Sequence, residues 1–324
     1  MDSKTILAIV PSFRADSTIS NVVQKLLGFV DFVLVVDDAC PESSGRKVQA
    51  NYEGSDSVKV VFRLQNGGVG AAMKTGFDWA LRHDYKFVVK VDADDQMDVS
   101  RIPEMIALIS RGEADIVKGN RFDSISDLEA MPIPRIIGNA GLSLIAKSSS
   151  GLWTVNDPTN GFFAISLPAL RALQHPKLND GFFFESDLLF RAGLANCKVT
   201  DLAMPAIYGN EKSNLRISRV LFTFPILHAK NTLKRIAYKY LIREWSIGTL
   251  NLLGAILMFT FALALGLDAL RIIQSTGIQV TAGQAVGVSL TAILGFQLLL
   301  AFLSYDVQME RRNGQRFPIS QDSS

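Results

Sequence analysis

Short apolar runs alternate with helical patterns through the first half of the chain. Short apolar runs predict buried strands at Thr5–Val10, which ends at Pro11, and at Phe32–Val36, Val58–Phe62, Phe87–Val91 and Ala114–Val117. Between them, apolar side chains recur every three or four residues and predict helices, at Ser17–Val30, Gly68–Leu81 and Arg101–Ser110. Such alternation predicts an α/β fold with a mainly parallel sheet, and the continuous apolar strands predict helices on both of its faces.

The pattern changes after residue 215. Residues 216–244 mix apolar side chains with lysine and arginine, which predicts amphipathic helices in a membrane interface. A soluble helix packed on the domain is the alternative. Trp245–Leu267 and Ile272–Tyr305 carry no charged residue. Each is long enough to cross about 30 Å of hydrocarbon, so we predict spans near Ile247–Leu267 and Gly283–Ser304, with two buried core helices as the alternative.

These patterns divide the chain into four segments. We expect a catalytic domain at 1–215, interfacial helices at 216–244, two transmembrane helices at 245–306 and a cytoplasmic tail at 307–324. The connection between the spans has one basic residue, Arg271, whereas both outer flanks have several. The positive-inside rule therefore places both termini and the catalytic domain in the cytoplasm. We expect an integral protein of a bacterial inner membrane, and glycines inside the spans allow homo-oligomers.

Composition narrows the function classes. Hydrophobic residues make up 48% of the 324 residues, and the mean hydropathy of +0.22 is high for a soluble enzyme. The two cysteines, Cys40 and Cys197, form no CxxC pair, which argues against a disulfide framework or a structural zinc site. The apolar run before Pro11 is too short for a signal peptide. A net charge of +2 indicates no particular partner, and we expect no nucleic acid.

Polar residues follow four of the predicted strands. They lie at Pro11–Arg14, at Asp37 and Asp38, at Asn66–Gly70 and at Asp92–Gln96. Ligands of an open parallel sheet bind at the carboxyl ends of its strands, so these residues predict one site. A helix cap is the alternative for any single aspartate.

The strongest motif is Asp92-Ala93-Asp94-Asp95-Gln96. Two carboxylates separated by one residue, directly after a buried strand, are suited to share a hard divalent cation. Mg²⁺ or Mn²⁺ prefers oxygen ligands and leaves coordination positions for substrate phosphates. The motif therefore predicts a metal that neutralises a leaving diphosphate.

Further motifs accompany this one along most of the chain. They are Val36-Asp37-Asp38, Asn66-Gly67-Gly68-Val69-Gly70-Ala71-Ala72, Gly119-Asn120-Arg121-Phe122, Asp157-Pro158-Thr159-Asn160-Gly161-Phe162 and Phe184-Glu185-Ser186-Asp187. Together with two C-terminal spans, they resemble family 2 glycosyltransferases with a Rossmann-like GT-A fold. The resemblance is to the group that transfers sugars to dolichyl and polyprenyl phosphates, in particular its bactoprenol glucosyltransferase-like members.

The resemblance implies a nucleotide-sugar donor and a lipid acceptor. It implies these positions: a nucleoside pocket at Pro11, Asp37 and Asp38; backbone approach to the nucleotide at Gly68 and Gly70; and metal and donor contacts at Asp92, Asp94 and Gln96. It further implies that the phosphate of a polyprenyl lipid is bound by Arg121, Arg135 and Asn139. A surface ion pair is the alternative for either arginine.

For the reaction, we expect a single in-line displacement with inversion at the anomeric carbon. Asp157 is the first candidate for a base or an electrostatic stabiliser beside the reacting centre, with Glu185 and Asp187 as second choices and Asp94 acting through the metal. A turn residue before Pro158 is the alternative for Asp157. UDP-glucose is the expected donor.

Departures from the family pattern keep the specificity open. Arg14 and Ala15 occupy positions where the family often has Asn-Glu, and Asp16 follows them. Val69 occupies a position where the family often has lysine, and Asn139 one where it often has serine. These changes bear on the base preference and on the acceptor contacts.

Three other functions compete with this one. A processive polysaccharide synthase usually carries QxxRW, and residues 242–245 lack the glutamine. A dinucleotide-dependent oxidoreductase needs a third glycine where Met73 stands, and needs its motif after the first strand. An inactive, membrane-anchored nucleotide-sugar sensor is favoured by Ala15 but opposed by the intact DxD.

Overall fold

One seven-stranded sheet forms the centre of the first part of the chain. The computed structural model describes residues 5–121, 133–205 and 217–313. The strands are β1 (Ile6–Ser12), β2 (Phe32–Asp37), β3 (Val58–Phe62), β4 (Phe87–Lys90), β5 (Ile116–Asn120), β6 (Phe163–Ser166) and β7 (Val199–Ala203). Their order across the sheet is β3-β2-β1-β4-β6-β5-β7.

Six of these strands run in one direction, which confirms the mainly parallel sheet. Only β6 is antiparallel to its neighbours, β4 and β5. The residues that precede β6 therefore reach the same edge of the sheet as the carboxyl ends of the other strands. This reversal brings the Asp157–Phe162 motif beside the residues that follow β4 and β5.

Helices cover both faces of the sheet, as the continuous apolar strands predict. The helices of this part are α1 (Ile19–Leu26), α2 (Ser44–Asn51), α3 (Val69–Arg82), α4 (Ile102–Ser110), α5 (Ile133–Ser150), α6 (Leu167–Ala172), α7 (Phe184–Leu194) and α8 (Ile217–Ile236). Alternate strand residues point to opposite faces, so there are two cores. One includes α3, α6 and α7, and the other includes α1, α2 and α4.

The first strand passes through Pro11 instead of ending there. It continues to Ser12, with Pro11 opposite Val36 of β2. Val91 N–H donates to the carbonyl of Ile9, so the backbone groups of Ile9 face β4, and those of Pro11 face the same way. The pairing of β1 with β4 ends at Ile9, before Pro11. The sheet therefore loses no hydrogen bond because proline lacks an N–H.

A short helix, α2, lies outside the sequence-based expectations. Its eight residues are mostly polar, and Val48 is their only buried large apolar side chain. A single apolar position gives no helical periodicity to detect.

The chain forms two compact units, the first ending at Leu233 and the second extending from Lys234 to Arg312. The second unit contains a π-helical segment at Ala237–Arg243 and the long helices α9 (Ile247–Thr276) and α10 (Ala282–Asn313). Both long helices are apolar enough to cross a membrane, and only 11% of the most apolar window of each is buried. That exposure contradicts the alternative of two core helices of a soluble protein.

Polar and small residues shape the second unit. Arg235 donates from two nitrogens to Asp306, at 2.8 Å each, and the hydroxyl of Tyr240 donates to the same carboxylate at 2.6 Å. Gly254 and Gly295 allow close approach of α9 and α10, because a Cβ at either position would lie 3.1 Å from a side chain of the other helix. The Arg235–Asp306 pair is almost fully buried.

Candidate active site

The loop that carries the DxD motif follows β4 directly. Thr18 of the segment before α1 donates to the carbonyl of Ala93 at 2.6 Å, which anchors the middle of the loop. Asp95 has a left-handed backbone, with φ of 61°, and its carboxylate lies 2.8 Å from Lys25 Nζ. The third carboxylate therefore turns toward α1, and the metal prediction rests on Asp92 and Asp94.

Asp92 has a buried cationic partner that the sequence analysis missed. Lys90, the last residue of β4, is fully buried, and its Nζ lies 2.6 Å from Asp92 Oδ1 and 3.1 Å from Glu185 Oε1. Burial favours the neutral amine, but the two carboxylates outweigh it and raise the pKa of Lys90 above its ordinary value. The sequence does contain a sign of this partner, because a lysine ends the otherwise apolar strand FVVK.

A second buried lysine lies on β5, which runs in the same direction as β4 and is separated from it by β6. Lys118 of β5 and Lys90 of β4 both pair in register with Phe163 of β6. Lys118 Nζ donates to the carbonyl of Asn160. Burial lowers the pKa of Lys118 to about 8, an effect only partly offset by nearby carboxylates. The sheet edge thus has two internal cations, neither of which was predicted.

The acceptor-side prediction centres on Arg121, which directly follows β5. Its Nε lies 2.8 Å from Asp157 Oδ2 and its terminal nitrogen 3.1 Å from Asp157 Oδ1. Asp157 is fully buried and also accepts from the hydroxyl of Thr159, whereas the arginine side chain is 35% exposed. A bidentate pair of this kind fixes the plane of the guanidinium. The structure therefore brings Arg121 and Asp157 together and uses both oxygens of Asp157.

The turn before β6 is held to β5 by Asn160. Its side-chain amide donates to the carbonyl of Gly119 at 2.9 Å, and its amide oxygen accepts from Phe162 N–H at 3.0 Å. These bonds fix Asp157 relative to the end of β5.

The two aspartates after β2 are buried and bonded to protein groups. Asp37 accepts from the backbone N–H of Cys40 at 2.7 Å and of Gly45 at 2.8 Å. Asp38 pairs with Arg63 and accepts from Gly68 N–H at 2.7 Å. Both aspartates therefore shape the loops at this edge.

A cavity of about 870 Å³ lies beside these loops, at the carboxyl ends of β2 and β3. Its lining includes Asp37, Cys40, Arg46, Phe62 and Arg63. Apart from Asp37, none of these lining residues belongs to the predicted nucleoside set. The ring of Phe62 is 43% exposed, which leaves an aromatic face available to a ligand.

The predicted phosphate-facing glycines have another partner in this structure. Gly68 has a φ of 93°, and a Cβ there would lie 2.8 Å from the carbonyl oxygen of Asp180. A Cβ on Gly70 would overlap the carbonyl of Asn179, and Ala71 N–H donates to the carbonyl of Asp180 at 3.0 Å. In this structure Asp38 and the 179–180 backbone contact the start of α3, and nucleotide binding at Gly68 and Gly70 stays a prediction.

Asp187, a second-choice catalytic residue, ties helices together. It accepts from Asn179 N–H at 3.0 Å and from the Asn231 side chain of α8 at 3.2 Å, and lies 3.4 Å from Arg191. This buried, bonded carboxylate stabilises the start of α7. Glu185, the other second choice, contacts Lys90.

The structure describes fewer contacts for the remaining predicted site residues. Gln96 is half-buried and donates its backbone N–H to Asp94 Oδ1 at 3.2 Å, which closes a tight turn within the loop. Pro11 is half-buried in β1. Arg135 and Asn139 belong to α5, but their side chains lie outside the described residues.

Chemically, the loop fits a hard divalent cation whose remaining ligands come from elsewhere. Asp92 and Asp94 supply oxygen donors at one edge of the sheet. Over residues 5–121, 133–205 and 217–313, no group of three or more acidic, histidine or cysteine side chains forms a metal cage. Two carboxylates alone match the way Mg²⁺ binds, through one or two carboxylates plus substrate phosphates.

Comparison with known proteins decides the family. The model of glycosyl transferase family 2 matches residues 7–173, about half of the chain. The chain belongs to glycosyl transferase family 2. It is therefore a glycosyltransferase, as the motifs predict.

Several relatives are named for lipid phosphates. The chain is 27% identical over 200 residues to an undecaprenyl-phosphate mannosyltransferase of Micrococcus luteus, covering 61% of this chain and 81% of the relative. It is 28% identical over 248 residues to a UDP-N-acetylglucosamine–dolichyl-phosphate N-acetylglucosaminyltransferase of Methanococcus voltae, covering 72% and 98%. It is 26% identical over 190 residues to a polyprenol monophosphomannose synthase of Mycolicibacterium smegmatis, covering 57% and 71%.

A solved structure confirms the fold. Glucosyl-3-phosphoglycerate synthase from Mycobacterium tuberculosis, crystallised with Mn²⁺, uridine diphosphate and phosphoglyceric acid, superposes with a TM-score of 0.54 at 18% identity. The match covers 72% of this chain and 78% of that one. At this identity the likeness supports the GT-A class of fold, and the ligands are those of the other protein.

Proposed function

We propose that this glycosyltransferase moves a sugar from a nucleoside-diphosphate donor onto the phosphate of a membrane polyprenyl lipid. Relatives that transfer mannose and N-acetylglucosamine have in common a polyprenyl or dolichyl phosphate in their names. The acceptor class is thus the shared property, whereas the sugar differs. UDP-glucose remains our proposed donor.

The observation that carries the proposal is the Arg121–Asp157 pair at the same sheet edge as the Asp92–Asp94 loop. Arg121 directly follows β5, and Asp92 lies two residues after β4. A partly exposed guanidinium, held rigidly by a buried carboxylate, is suited to bind a phosphate. We assign the acceptor phosphate to Arg121, with Arg135 and Asn139 of α5 as further ligands.

The donor would lie along the edge from β4 toward β3. Strands in a sheet are about 4.8 Å apart, so the cavity at β2 and β3 is roughly 10–15 Å from the end of β4. That span suits a diphosphate near Asp92 and Asp94 and a nucleobase in the cavity, close to Phe62 and Arg63. Bound Mg²⁺ or Mn²⁺ would supply positive charge to the departing diphosphate.

Asp157 is assigned here to positioning Arg121 instead of removing a proton. A phosphate monoester has its second pKa near 6 and already bears a negative charge at pH 7. One of its oxygens forms the new bond to the anomeric carbon while the bond from that carbon to the diphosphate breaks, and the electron pair leaves on the diphosphate. The configuration therefore inverts, and the residues act by orientation and charge.

The segments after the catalytic domain would bring the site to the lipid. Residues 222–244 expose apolar side chains such as Phe222 and Ile226 together with lysines and arginines. Each cation near anionic lipid contributes on the order of 1 kcal/mol. We propose that α9 and α10 span a bacterial inner membrane with both ends cytoplasmic, and that homo-oligomers form through them.

The test uses purified full-length protein, a polyprenyl phosphate in detergent and radiolabelled UDP- and GDP-sugars with Mg²⁺ or Mn²⁺. We expect one labelled sugar in the organic phase, attached through a bond that mild acid cleaves. Polymeric product would support a processive synthase. Nucleotide binding without any transfer would support an inactive sensor.

A further inference from the structure

Lys90 is a fixed cation beside a predicted metal ligand. Its side chain is fully buried, with Nζ 2.6 Å from Asp92 Oδ1 and 3.1 Å from Glu185 Oε1. Lysine is almost never fully buried unless it is paired. Because Asp92 belongs to the 92–96 loop and Glu185 to the first turn of α7, one ammonium joins these two segments.

Gly161 lies against this pair. A Cβ at this position would overlap both Asp92 Oδ2 and Lys90 Nζ. Gly161 does not have a left-handed backbone, so glycine matters here through space: an added Cβ would displace the ends of these two side chains. Asp92 is thus held between an ammonium and a backbone that leaves no room for a side chain.

Resting on the donor site proposed above, we infer that Lys90 is a positioning residue whose fixed ammonium orients Asp92 and lowers the affinity of the empty site for a divalent cation. Asp92 and Asp94 provide two negative charges, and the adjacent ammonium opposes a divalent ion that approaches them. A nucleoside diphosphate adds further negative charge and oxygen ligands. The metal therefore binds firmly only together with the nucleotide, and Asp92 keeps its orientation in the empty site.

The test is a Mn²⁺ titration of the full-length protein in detergent, followed by the electron paramagnetic resonance signal of free Mn²⁺. Without nucleotide, Lys90→Met should bind Mn²⁺ at least fivefold more tightly than the wild type. Addition of UDP or GDP should then increase Mn²⁺ affinity less in the variant than in the wild type. Lys86→Met is the matched control, because Lys86 is exposed and precedes the same strand.

Two further variants keep the inference testable if Lys90→Met does not fold. The first comparison is between Glu185→Gln and the double variant Lys90→Met/Glu185→Gln, which differ only in the lysine. The double variant should bind Mn²⁺ more tightly than Glu185→Gln. Gly161→Ala changes no charge but displaces Asp92, so it should weaken Mn²⁺ binding with and without nucleotide.

The outcomes separate the inference from the proposed function. If the wild type binds Mn²⁺ with nucleotide but neither lysine variant binds it more tightly than its parent, the inference is overturned and the donor site stands. If the wild type binds no Mn²⁺ under either condition, the metal assignment and the inference are both overturned.

Discussion

At the scale of single residues, the three aspartates of the 92–96 loop are distinguished by what they contact. Asp92 contacts Lys90, Asp95 contacts Lys25, and Asp94 closes the turn at Gln96. Asp94→Asn should lower kcat/KM by about 100-fold with Mg²⁺ or Mn²⁺, since the proposed metal ligand loses its charge and each tenfold loss corresponds to about 1.4 kcal/mol. The measurement is transfer of labelled sugar at fixed metal concentration.

Asp95→Asn is the control for this prediction. Asparagine tolerates the left-handed backbone of Asp95, and the partly exposed pair with Lys25 is worth about 1 kcal/mol or less. Activity should stay within about threefold of the wild type. Even if the whole energy of this pair contributed to the rate, the loss would be smaller than the roughly 1.4 kcal/mol that changes a rate tenfold. Full activity in Asp94→Asn would remove the metal assignment.

A second residue-scale prediction concerns the pH dependence of stability. Asp201 of β7 accepts from Asn156 N–H at 2.7 Å, and burial raises its pKa to about 6. The folded state therefore holds this proton more tightly than the unfolded chain, whose ordinary value is 3.8. Its contribution to stability is fully present below pH 4 and is lost as the pH rises through 6.

Asp201→Asn should therefore stabilise the protein by up to about 3 kcal/mol at pH 7.5, since a rise of about two pKa units corresponds to roughly that much, and by less than about 1 kcal/mol at pH 4. Thermal unfolding at the two pH values measures the difference. Asp56→Asn, at an exposed position, serves as the control and should show no such contrast. An equal effect of Asp201→Asn at both pH values would contradict the assigned cause.

At the scale of elements, the reversed strand β6 shapes the proposed acceptor side. It carries the turn 157–161 to the sheet edge, where Asp157 fixes Arg121. Asp157→Asn leaves the turn in place but weakens the bidentate grip, so the KM for polyprenyl phosphate should rise by about tenfold, as expected for a charge-assisted bond of roughly 1.5 kcal/mol. The KM for the donor should not change.

Steady-state kinetics against each substrate, repeated over a range of pH, checks this assignment. If Asp157 acted as a base, kcat would fall and the pH profile would lose its acidic limb while the acceptor KM stayed constant. Arg121→Lys provides the matched comparison, because it keeps the charge and loses the fork. It should raise the same KM.

At the scale of the whole molecule, the periodic part of the fold was predictable and the reversal was not. Buried strands and amphipathic helices follow from local apolar spacing, which is why five strands and the order of βαβ units were found. The four residues of β6 and the polar helix α2 carry too little periodicity. Pairing of β6 with β4 and β5 is a long-range choice that no local pattern contains.

The candidate site was also predictable only in part. Strand-end aspartates were predictable because chain position determines which edge they reach. Lys90 and Lys118 were not, since Glu185, the second partner of Lys90, and Asn160, the partner of Lys118, come from segments about 95 and 42 residues away along the chain. A lysine inside an apolar strand signals a buried partner without naming it. The same holds for Arg235, whose partner is Asp306.

The Arg235–Asp306 pair gives a prediction for the stability of the second unit. Arg235 and Asp306 are at most 3% exposed, and Tyr240 completes the carboxylate's bonds. Breaking a buried pair by removing one charge costs about 3–5 kcal/mol, because the other charge stays buried. Asp306→Asn should therefore lower the thermal midpoint in detergent by about 5 °C or more. Asp268→Asn, at an exposed position of α9, should leave it unchanged. Equal midpoints for Asp306→Asn and the wild type would mean that the pair does not stabilise this unit.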